Sequence, residues 1–63
     1  MEHERHILTD GEAARILRMP RLRLLRLAKA GDVPSIRLPD GEYRFVQADL
    51  WAWVEGHKQE VAQ

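Results

Sequence analysis

Apolar residues recur along this chain first at helical spacing, then in strict alternation, then at helical spacing again. The first helical stretch opens with Thr9-Asp10-Gly11-Glu12, which has the form of a capping box. In that motif the Thr9 hydroxyl accepts from the amide of residue 12, and the Glu12 carboxylate accepts from the amide of residue 9. Ala13, Ala14, Ile16 and Leu17 follow, with Ile7 or Leu8 placed as a hydrophobic staple. A helix of about two turns is expected over Asp10–Leu17.

Arg18-Met19-Pro20 interrupts the pattern, and proline suits the first turn of a new helix. The second helix is expected over about residues 20–30, where Gly31 supplies a left-handed stop and Pro34 prevents continuation. Leu24, Leu27 and Ala28 form its core stripe. Leu22 and Leu25 fall off that stripe, and Arg21, Arg23, Arg26 and Lys29 cover much of the remaining surface.

Residues 35–45 alternate: Ile36 and Leu38 flank Arg37, and Tyr43 and Phe45 flank Arg44. With Asp40-Gly41 read as a two-residue turn, this is a β-hairpin. That reading puts Arg37 and Arg44 together on the polar face. A third helix follows from Gln47 to about His57 or beyond, with Val46, Leu50, Trp53, Val54 and His57 near one face to seal the core. Trp51 projects elsewhere. The expected organisation is a flexible terminus over 1–7, one domain over 8–58 and a frayed end over 59–63.

Composition narrows the functional classes. A chain of 63 residues makes one domain with a thin core, since a domain of this size buries only about 60% of its unfolded surface. That leaves little room for a substrate cavity, which argues against an enzyme. No cysteine is present, so there is neither a disulfide framework nor a thiolate metal site. His3, His6 and His57 lack metal-ligand spacing, and no catalytic triad, paired carboxylates or glycine-rich phosphate loop stands out. No cofactor is expected. No signal peptide or membrane-spanning run is apparent, so a cytoplasmic place in a bacterial or phage-infected cell is expected.

The net charge is zero, but its distribution is uneven. Residues 13–31 hold six cations (Arg15, Arg18, Arg21, Arg23, Arg26 and Lys29) and no acid. The rest of the chain holds four basic and ten acidic residues. Such polarity steers an anionic partner onto one face. The element order is helix, three-residue turn, helix, hairpin, helix. This is mainly α with a small β-hairpin, the layout of a winged helix-turn-helix whose second helix can enter a major groove. Arginine suits that task because its fork can grip phosphate, or guanine O6 and N7, through two hydrogen bonds.

The series Leu8-Thr9, Glu12-Ala13-Ala14, Ile16-Leu17, Arg21, Arg26-Leu27, 30–37 (AGDVPSIR), Tyr43-Arg44-Phe45 and Ala48-Asp49-Leu50 resembles the excisionase-type winged-helix family. That family is related to the DNA-binding domains of MerR-type regulators. The resemblance covers residues 8–54 and implies sequence-specific duplex binding, with the second helix in the major groove and the wing on the backbone. It places Arg21 and Arg26 at basic recognition-helix positions, and Arg37 and Arg44 at basic wing positions. The chain departs from the family at four places: Arg18 stands where glycine is common, and Pro20 where serine or threonine is usual. Asp40 and Glu42 occupy a wing tip that is often basic, and Leu22 and Leu25 replace typically polar residues.

The expected DNA-contacting set is therefore Arg21, Leu22, Arg23, Leu25, Arg26 and Lys29 on the helix, Arg15 and Arg18 toward phosphates, and Arg37 and Arg44 on the wing. The expected partner is double-stranded DNA. A module this small reads few base pairs, which implies self-association on adjacent sites or delivery by an integrase or recombinase. Excision control, transcription regulation, or both would follow. Two alternatives use the same fold: a protein-interaction adaptor with Leu22, Leu25 and Trp51 as an apolar face, and the DNA-recognition module of a phage packaging subunit.

Overall fold

The computed structural model describes residues 6–58. The elements in chain order are β1 (Ile7–Thr9), α1 (Asp10–Leu17), α2 (Arg21–Ala30), β2 (Ile36–Arg37), β3 (Tyr43–Val46) and α3 (Gln47–Gly56). The three helices and the β-hairpin make the winged helix-turn-helix architecture that the periodicities predict. His3 and residues 59–63 lie outside the described residues.

The capping box is present in full. The Glu12 amide donates to Thr9 Oγ1 at 3.2 Å, and the Thr9 amide donates to Glu12 Oε1 at 2.9 Å. α1 ends at Arg18, which adopts the left-handed conformation at φ 55°. The Met19 amide then closes onto the Ala14 carbonyl at 3.0 Å. α2 stops the same way with Gly31 at φ 80°, where the Asp32 amide donates to the Leu27 carbonyl at 2.8 Å. Two helices thus end on one hydrogen-bond pattern, one with the glycine that suits it and one with an arginine. Pro20 caps the start of α2 only with its backbone; the helix gains no side-chain cap bond there.

The sheet holds a strand that the alternation does not predict. Ile7–Thr9 is β1, and the strand order is β1-β3-β2, antiparallel throughout. Ile7, expected in the segment before the domain, lies in this strand. β1 places Leu8 opposite Phe45, and the His6 carbonyl just before it accepts from the Gln47 amide at 2.9 Å. This supplies a partner for the first amide of α3, whose cap residue Val46 has no side-chain acceptor.

The hairpin register also differs from the expected one. Ile36 lies opposite Arg44, and Arg37 opposite Tyr43. A two-residue turn at Asp40-Gly41 would instead pair Arg37 with Arg44. The loop that forms has Pro39 and Asp40 at its centre and Gly41 at φ 92°. The Gly41 amide donates to the Leu38 carbonyl at 2.9 Å, and the Leu38 amide donates to the Glu42 carbonyl at 2.7 Å. This is a three-residue connection with a positive-φ residue at its end. A one-residue slip exchanges faces, so Arg37 and Arg44 stand on opposite faces of the wing.

The core is small. Ala13 and Ala14 of α1, Leu24 and Ala28 of α2, Val33, Phe45 and Leu50 form one buried cluster. The alanines let the helices approach closely, while Phe45, Leu24 and Leu50 supply most of its bulk. Trp53 packs against the cluster half-buried, and its indole donates to the Asp32 carbonyl at 2.8 Å. His57 does not help to seal the core: it is exposed, with its ring beside Trp53 at a centroid distance of 4.6 Å.

Candidate nucleic-acid interface

The right-handed α-helix sorts the residues of α2 into rows. Leu24 and Ala28 are buried, and Leu27 is half-buried beside them. Arg21, Leu25 and Lys29, each four residues apart, line a groove of about 480 Å³ between α2 and the wing. Leu22 and Arg26 make the next row outward and are exposed, Leu22 at 64%. Arg23 and Ala30 follow, also exposed. The turn before α2 adds exposed Arg18, and the last turn of α1 adds exposed Arg15.

The groove brings four of the expected contact residues together: Arg21, Leu25, Lys29 and Arg44. It also contains residues that the expected set leaves out, namely Thr9, Asp10, Gly41, Glu42 and Tyr43. Asp10 was legible only as part of a cap, and Glu42 only as a wing-tip acid. Their place in the groove depends on β1 and on the wing register. Arg37 lies outside the groove lining, on the other face of the wing from Arg44.

The cations divide by what they touch. Arg21 Nη1 is 3.2 Å from Asp10 Oδ2, across the α1–α2 unit. Arg44 Nη2 is 3.1 Å from Glu42 Oε1, and its Nη1 donates to the Tyr43 carbonyl at 2.9 Å. Arg15, Arg18, Arg23, Arg26, Lys29 and Arg37 form no ion pair with another described residue. The outer face of α2 is thus cationic and apolar, while the wing groove mixes three cations with two carboxylates. Among the described residues, no three histidine or acidic side chains converge as a metal site. Among the described residues, no helix is long and apolar enough to cross a membrane.

A tight pair of helices with cations on the exposed face of the second, backed by a β-ribbon, can present a helix to a major groove and a strand pair to the flanking backbone. No curated protein matches the chain. A family model described as a helix-turn-helix domain matches residues 7–58, which spans β1 through the end of α3. The chain belongs to this excisionase-like family of DNA-binding helix-turn-helix domains.

Proposed function

We propose that the protein is a sequence-specific accessory factor for double-stranded DNA, acting in recombination, as excisionases do, or as a small regulator of transcription. α2 enters the major groove and the wing lies on the adjacent backbone. The observation that carries this reading is the outer surface of α2. Arg23 and Arg26 stand exposed there, with Lys29 at the edge of the wing groove, all without a described carboxylate partner, in a stretch of 13–31 that contains no acid. Leu22, exposed between the arginine rows, is placed to meet thymine methyl groups, while Leu25 supports the groove from below. Arg15 and Arg18 serve phosphates, and Arg37 and Arg44 serve the backbone from opposite faces of the wing. Self-association on neighbouring sites, or an integrase partner, supplies the sequence length that one module lacks.

Duplex selection from a random library, followed by salt titration of the recovered sequences, tests this reading. Replacing Arg21, Arg23 and Arg26 together with alanine should abolish binding while the fold persists. Unchanged binding in the triple variant would remove α2 as the reading helix.

A second reading has its own support in the exposure of Leu22 at 64% and Trp51 at 48%. These side chains suit a protein partner, as the adaptor alternative requires. Leu25 fits that role less well, because it is half-buried in the wing groove. A stable complex with another protein, lost on Leu22→Ser or Trp51→Ser, together with no duplex binding at low salt, would select the adaptor.

A further inference from the structure

The two carboxylates in the wing groove are not where a simple phosphate cradle would put them. Asp10 opens α1 and pairs with Arg21, the first residue of α2. Glu42 precedes β3 and pairs with Arg44, whose other nitrogen is held by the Tyr43 carbonyl. All five of these residues line the same groove. Each carboxylate occupies a guanidinium that would otherwise be free to grip phosphate, and each is itself repelled by an approaching phosphate. Each pair is accessible enough to be exchanged, since the side chains of Arg21 and Glu42 are more than half exposed.

We infer that Asp10 and Glu42 are specificity-determining residues: by holding Arg21 and Arg44 in intramolecular ion pairs, they weaken binding to DNA in general. The inference rests on the DNA-binding reading above. On arbitrary DNA, the backbone contacts of the groove form only by breaking these pairs and bringing phosphate near carboxylate. On the right site, base contacts from the outer face of α2 hold the duplex in place and leave the two pairs less disturbed. The acids therefore penalise arbitrary DNA, which must grip through the groove and break the pairs, more than a site that leaves the pairs less disturbed. This is selectivity obtained by penalising the wrong partner. It also accounts for acidic residues in a wing groove otherwise shaped for an anion.

The test uses the full chain with Asp10→Asn, Glu42→Gln and the double substitution. Binding is read by fluorescence anisotropy against a short random-sequence duplex and against the best selected duplex, over a range of salt. A surface ion pair is worth up to about five-fold, so each single variant should bind random duplex up to about five-fold tighter. The double variant should gain more. The dependence of binding on salt should steepen, by up to about 0.9 in the logarithmic slope for each phosphate newly gripped. Binding to the selected duplex should gain less, so the ratio of selected to random affinity should fall. A merely structural role for the acids predicts the opposite, because loss of fold weakens both duplexes together. Thermal melting checks each variant, and Glu42→Gln leaves the cap of α1 untouched if Asp10→Asn proves unstable. Random-duplex binding that is unchanged or weaker in a folded Glu42→Gln protein overturns the inference while the DNA-binding reading stands. If neither the natural chain nor the double variant binds any duplex at low salt, both readings fall.

Discussion

At the scale of single residues, Arg18 is the position where local chemistry and fold disagree most plainly. It holds a left-handed conformation that glycine holds without cost at the matching stop of α2. For a side chain with a Cβ this conformation is unfavourable by about 1 kcal/mol. Arg18→Gly should therefore raise stability by about that amount. Thermal melting would show it as a rise of roughly 4–8 °C in a domain this small. No rise would mean that the arginine side chain already offsets the strain. On the proposed function the same variant should lose a little duplex affinity, having lost one cation next to α2. Retaining a strained arginine in the turn makes sense if its charge is used.

At the scale of elements, the helices were legible in the sequence and the sheet only in part. Caps and stops are local signals: Thr9 with Glu12, Pro20 and Gly31 mark helix ends by chemistry within a few residues. β1 has no such marker. It is three residues long, has no turn beside it, and pairs with a strand on the far side of both α1 and α2. The wing register failed for a different reason. Asp40-Gly41 is a strong two-residue turn signal, but Pro39 before it favours the centre of a turn and drew the loop one residue longer. That slip changed which residues share the groove, so the candidate site was legible in composition but not in arrangement. Leu8 and Ile7 test the strand. Leu8 is half-buried against the core, opposite Phe45, whereas Ile7 is 55% exposed. Leu8→Ala should cost about 1–3 kcal/mol and Ile7→Ala less than about 0.5 kcal/mol. Urea denaturation would measure both, and equal costs would contradict the register of β1.

At the scale of the whole molecule, neutrality and DNA binding are compatible because the charges are segregated. Six cations lie in 13–31, and the excess of acids lies elsewhere in the chain. A face of this kind attracts DNA in one orientation and repels it in others. With several of the cations on phosphates, the affinity should fall with salt at a logarithmic slope of about −3 to −5. A flat salt response, measured by titration of the selected duplex, would contradict the assigned face. The margin for change in the protein itself is narrow. A domain of 63 residues is stable by only about 3–9 kcal/mol. Phe45, fully buried at the centre of the sheet, would cost about 3–5 kcal/mol as alanine. The readable surface thus rests on very few large side chains.

The strand at Ile7–Thr9 also bears on how the protein is made and cut. It is the earliest described element to leave the ribosome, yet its partner β3 follows both helices of the reading unit. The sheet cannot close, and the His6 carbonyl cannot meet the first amide of α3, until residue 47 has emerged. α1 and α2 therefore leave the ribosome before the strand that locks them. A fragment carrying only the two helices would keep every arginine of the proposed reading face and lose the Phe45 and Leu50 part of the core. On the proposed function, recognition is a property of the folded unit from β1 to α3, and the helical pair alone does not supply it.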